Sequence, residues 1–239
     1  MAGGPAAGTG ATGKSGVWTR LACAALVEVV YAVTTRAWLP GHYSGIPLEL
    51  LTTAGRLVAL LVFFLLFRKA GSANPPQPRR ALHPLALASI ALVLAAPVLV
   101  GRDWLHDATT EVVFAVTSLA VAVKEEFLYR RVLQNLIEAR LGVAWAIVIS
   151  NIAFTLYHYR ARPITFELFC IGCILGLLYA RTCSLALVVA VHAVADALWC
   201  FAPYLAEPLP KLLGSVLAVV ALISCSIWAW RPDRRLSAA

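Results

Sequence analysis

The 239-residue sequence is 61% hydrophobic and only 13% charged, with a mean hydropathy of +0.80. A soluble domain would carry about a quarter charged residues, so this composition excludes a soluble enzyme. The net charge of +8 is no nucleic-acid signature, because the basic residues cluster at the ends of apolar blocks. There they set topology and meet anionic lipid headgroups. The fold class expected is all-α, a polytopic membrane bundle with no nucleic-acid partner.

In chain order, residues 1–17 are rich in Gly, Ala and Thr and are expected to be disordered. The first apolar block runs from Val17 to Leu39, interrupted by Glu28 and Arg36. An acid inside the apolar run argues for a retained helix over a cleaved signal peptide. The second block, Leu48 to Phe67, contains Arg56, which could pair with Glu28. A connector from Arg68 to Arg80 with Pro75, Pro76 and Pro78 leads to the third block, Pro84 to Val100. The short segment Gly101–Asp107 carries Asp103 and Asp107. Five further blocks follow: Glu111 to Leu133, Gly142 to Tyr159, Ile164 to Ala180, Leu185 to Phe201, and Leu212 to Trp230. Eight blocks are thus expected as membrane helices, since about 20 apolar residues cross a bilayer. The organisation expected is one transmembrane domain over 18–230, its motifs within 110–200, and a tail at 231–239.

The basic residues place both termini on the cytoplasmic side. Arg68, Lys69, Arg79, Arg80, Arg130, Arg131, Arg140, Arg181 and Arg231 fall on the inner segments, against Arg102, Arg160, Arg162 and Lys211 outside. The outer basic residues are offset by Asp103, Asp107, Glu111 and Glu207. Of the six cysteines, Cys170 and Cys173 form a CxxC without a second pair, and they read as small packing residues.

Ionisable side chains inside a bilayer are costly, so each is a candidate for function. Those in apolar blocks are Glu28, Arg56, Glu125, Glu126, His158, His192 and Asp196. Glu125 and Glu126 are adjacent and diverge by about 100° on a helix. Arg130, four residues on, can neutralise Glu126, which leaves Glu125 for another partner. The midpoint between Glu125 and His158 falls at Leu141–Gly142, where two helices should turn. A near-symmetric hairpin would bring the two to similar depth. His192 and Asp196, four apart, share one helix face. Such a set can deprotonate water and stabilise an oxyanion, as amide hydrolysis requires. A metal at Glu125, His158 and His192 is disfavoured by the lack of an HExxH motif, so no cofactor is expected.

The ordered motifs Glu125-Glu126-x-x-x-Arg130, Phe154-x-x-x-His158 and His192-x-x-x-Asp196 resemble those of the CPBP family, the CAAX protease and bacteriocin-processing or Abi proteins. The resemblance covers about residues 110–200. It implies an intramembrane endopeptidase of glutamic type. Glu125, aided by His158, would activate water; His192 and Asp196 would stabilise the oxyanion or position the substrate; Glu126, Arg130 and Phe154 would orient the site. Asp196 departs from the Asn usual in the prenyl-protein proteases. The implied partners are the lipid bilayer and a membrane-anchored protein or peptide substrate. The alternative is a non-catalytic binding or immunity protein on the same fold, with a proton-coupled transporter ranked last for want of internal repeats. An alanine- and arginine-rich composition suggests a bacterial inner membrane.

Overall fold

The computed structural model describes residues 12–68, 81–100, 108–158, 165–201 and 208–231. Asp103, Asp107, Arg102, Arg160, Arg162, Glu207, nearly all of the Pro-rich connector and of the C-terminal tail, and residues 1–11 lie outside them. Among the described residues all regular structure is helical. The chain divides into two compact units, 1–69 and 70–239, at the connector.

In the first unit α1 (Thr12–Val33) starts inside the stretch expected to be disordered. No proline interrupts residues 12–17, so the helix extends upstream of the apolar block. It continues through a π turn, Thr34–Trp38, and a 3-10 turn at Leu39–Gly41, where Pro40 ends it. The chain reverses into α2 (Gly45–Phe67), with Gly45 at φ +58°, a conformation that glycine adopts without strain. The spans Gly16–Gly41 and Gly45–Phe67 are 26 and 23 residues long, enough to cross a bilayer. The expected pairing of Glu28 with Arg56 does not form. Arg56 bonds Glu49, Thr53 and Tyr31 Oη instead. Glu49 is seven residues earlier on the same helix, two turns away on one face, so it needs no second helix.

The second unit contains α3 (Pro84–Val100), α4 (Ala108–Glu126), a π segment (Phe127–Gln134), α5 (Asn135–Leu141), α6 (Val143–His158), α7 (Thr165–Thr182), α8 (Leu185–Phe201) and α9 (Pro208–Trp230). The eight expected blocks are all present as helices, the fourth running unbroken from α4 through α5. The turn foreseen at Leu141–Gly142 is Gly142 at φ +80°. Within this unit α4 packs on α8, α3 on α9, and α7 on both α6 and α9. Large apolar side chains such as Val116, Leu119, Leu156, Leu212 and Ile223 remain exposed around its outside, as a lipid-facing surface requires.

The core is closed by the Gly172-x-x-x-Gly176 pair on α7. A Cβ at Gly172 would overlap Asn151 Oδ1, and one at Gly176 would meet Gln134 Oε1 and Ile147 Cγ2, each at 3.2 Å. Small residues four apart let membrane helices approach closely. Asn151 cannot easily yield, because its Nδ2 donates to Phe169 O at 2.6 Å. Gly172→Ala is therefore expected to lose about 1–3 kcal/mol through overpacking, read as a lower unfolding midpoint in detergent. Gly41→Ala, whose Cβ meets nothing within 4 Å, should leave that midpoint unchanged.

Candidate active site

Glu125 and Glu126 close the last turn of α4, and the helix changes register immediately after them, into the π segment at Phe127. Such π turns are frequent at functional sites, where they re-aim side chains. Here the π segment carries Arg130 inward until its side chain, like that of Glu126, has no exposure at all. Arg130 Nε donates to Glu126 Oε2 at 3.0 Å. The other carboxylate oxygen, Oε1, lies 2.7 Å from His192 Nδ1, contributed by α8. A carboxylate already accepting from a guanidinium can only accept again, so His192 Nδ1 carries a proton. Glu126 is thereby held at both oxygens.

Glu125, diverging from its neighbour, faces the end of α6. Its Oε1 is 3.4 Å from His158 Nε2, and its Oε2 is 3.9 Å from His192 Nε2. Oε2 is buried without a hydrogen-bond partner. His158 Nδ1 lies 2.8 Å from the Phe154 carbonyl. That carbonyl cannot donate, so Nδ1 carries a proton, and Nε2 is the nitrogen that faces Glu125. Asp196 Oδ2 is 3.4 Å from His192 Nε2. The structure thus brings Glu125, Glu126, Arg130, His158, His192 and Asp196 into one cluster from α4, the π segment, α6 and α8.

Phe154 stands at the centre of this cluster, only 1% exposed. Its ring centroid is 4.6 Å from that of His158 and 6.1 Å from that of His192. The Arg130 guanidinium lies 5.6 Å from the same centroid, a cation–π distance. Tyr129 meets the ring edge-on at 5.3 Å. The FxxxH spacing therefore has a physical reading: Phe154 supplies the carbonyl that fixes one nitrogen of His158 and the ring that packs its face.

A small cavity of about 30 Å³ opens beside His192 and Asp196, walled by Phe154, Val191, Leu168 and Trp199. Its size accommodates a water molecule. Among the described residues no group of three His, Cys, Asp or Glu side chains has a metal-binding arrangement. The imidazole nitrogens face carboxylates and a backbone carbonyl.

Four side chains in or under the site were not singled out from the sequence. Lys124, 2% exposed, places Nζ 3.5 Å from Tyr157 Oη. Gln134 donates to Gly176 O, and buried Asn151 bridges α6 to α7. Lys124 carried a readable signal, since an ammonium in an apolar block is as costly as a carboxylate. Tyr157, Gln134 and Asn151 had none beyond polarity.

Residues 108–198 match the family described as Type II CAAX prenyl endopeptidase Rce1-like. Over this segment the chain is similar to the CAAX protease family. The match runs from the start of α4 almost to the end of α8, and so includes every residue of the cluster. No curated protein and no solved structure matches the chain. Its long apolar helices, together with this similarity, make the protein an integral membrane protein.

Proposed function

We propose that the protein is an intramembrane endopeptidase that hydrolyses a peptide bond of a membrane-anchored protein or peptide. The observation that carries this reading is the approach of Glu125 to His158 at 3.4 Å, two groups able to share the proton of an attacking water. In the proposed reaction Glu125 takes a proton from water as the oxygen bonds to the scissile carbonyl carbon. The carbonyl oxygen becomes an oxyanion, which His192 stabilises through Nε2–H. The C–N bond then breaks, the leaving nitrogen receives the proton from Glu125, and the acid and amine products depart. The backbone-anchored His158 holds Glu125 in place and stabilises its proton. Glu126 and Arg130 keep His192 turned toward the reacting atoms.

The role of Asp196 follows from charge. An ionised carboxylate repels an oxyanion, whereas one 3.4 Å from His192 Nε2 can orient the imidazole. Asp196→Asn is therefore expected to stay within about tenfold of wild-type kcat/KM, or about 1.4 kcal/mol, because the amide oxygen preserves the contact. Asp196→Leu should lose about a hundredfold. Equal losses in both would remove the orienting role.

The substrate classes this chemistry suits are a prenylated C-terminal tail, a sorting-tail segment or a bacteriocin-like precursor, cut near the bilayer surface. The distribution of Arg and Lys supports cytoplasmic termini, and the alanine- and arginine-rich composition a bacterial inner membrane. Protein reconstituted in vesicles should cleave such a membrane-anchored peptide, and His158→Gln should slow it by about 10²–10⁴. Cleavage at the wild-type rate by the variant would contradict the reading.

A further inference from the structure

The family motifs leave Lys124 without a role, although it is among the largest fully buried side chains of the protein. It immediately precedes Glu125, and its Nζ lies 5.0 Å from the centroid of the Tyr157 ring and 3.5 Å from Tyr157 Oη. Tyr157 in turn meets His158 edge to face, with centroids 5.1 Å apart and planes at 82°. Phe154 packs on His158 as well, at 4.6 Å. The imidazole facing Glu125 therefore sits between two aromatic rings, and one of them is tethered by the ammonium. Tyr129 approaches the same tyrosine at 6.5 Å.

Charge points the same way. The cluster holds three carboxylates, Glu125, Glu126 and Asp196, and Arg130 is committed to Glu126. Lys124, adjacent to Glu125 in sequence, adds a second buried basic side chain, and an uncompensated carboxylate is costly in a low-dielectric interior. An apolar residue would fill the space under Tyr157 at less cost, so packing alone gives no reason for an ammonium here.

We infer that Lys124 is a positioning residue, which through Tyr157 fixes the ring of His158 opposite Glu125, where the Phe154 carbonyl can hold its tautomer. The inference rests on the proposed endopeptidase reading for its catalytic consequence, but its structural content is testable without any substrate. The probe is nitrogen NMR of the protein labelled at its histidine side chains, in detergent, with His158→Gln and His192→Gln identifying the two signals. Wild type should show His158 as a single tautomer protonated at Nδ1. Lys124→Met and Tyr157→Phe should each broaden or average that signal while leaving that of His192 in place. An unchanged His158 signal in either variant overturns the inference. Equal disturbance of His192, or loss of the folded spectrum, makes Lys124 a packing residue and overturns it too.

The kinetic counterpart uses the membrane-anchored peptide that the wild-type protein cleaves. Lys124→Met is expected to lower kcat by up to about a hundredfold, the effect of a misplaced catalytic group, with KM little changed. In the His158→Gln background the same substitution should cost nothing further, since it acts through His158. A full additional loss there would indicate a route other than His158. Loss of NMR order with no cleavage by wild type would sustain the positioning and overturn only the endopeptidase reading.

Discussion

Arg130→Met is expected to destabilise the protein by about 3–5 kcal/mol, the cost of leaving one partner of a buried ion pair alone. Arg130 and Glu126 both have 0% side-chain exposure, and their only mutual hydrogen bond is Nε to Oε2 at 3.0 Å. Without the guanidinium, Glu126 keeps only His192 as a charged partner. The terminal nitrogens Nη1 and Nη2 of Arg130 have no hydrogen-bond acceptor, so what the residue contributes is its charge, one bond and its face on Phe154. This makes the reciprocal case informative. Combining Arg130→Met with Glu126→Gln removes both charges and should recover most of the lost stability. It should not recover activity, because His192 Nδ1 then loses its ionised acceptor. Unfolding in detergent measures the first effect, and cleavage of a membrane-anchored peptide the second. An Arg130→Met protein as stable as wild type would mean that the pair is not buried in the way described.

The second large effect is kinetic. Glu125→Gln should lower kcat by about 10²–10⁴, the range that a positioned general base contributes, while leaving the fold intact. The asymmetry with Arg130 follows from the contacts. Glu125 Oε2 makes no hydrogen bond, and its Oε1 approaches His158 only at 3.4 Å. Little is lost to stability when the charge goes. His158→Gln should resemble it, and the double variant should be hardly worse than the worse single one, as expected of groups acting as a unit. Strictly additive losses would show that Glu125 and His158 work independently.

Much of this arrangement was legible in the sequence, and the exceptions have physical reasons. The hairpin could be read because glycine at position 142 and two apolar blocks of similar length leave one place to turn. The Glu126–Arg130 pair could be read from spacing. The π register that follows Glu126 could not, since its composition is that of an α-helix and only the hydrogen bonds differ. Nor could the division of His192, which spacing assigns to Asp196 alone. Its closest partner is Glu126 at 2.7 Å, 66 residues away, and a contact of that range depends on the packing of α4 on α8. The same limit explains Arg56, where a partner on the other helix was expected and a same-face partner two turns away prevails. The contact of Lys124 with Tyr157, 33 residues away, likewise depends on how the helices pack.

The most direct measurement of the central claim is a comparison of strains carrying wild type and Glu125→Gln, by mass spectrometry of protein termini from membranes and medium. Defined cleavage products should disappear in the variant while the protein itself remains folded and equally abundant. An unchanged set of termini, with the phenotype of the wild-type protein preserved, would contradict that claim and favour a membrane protein that binds without cutting.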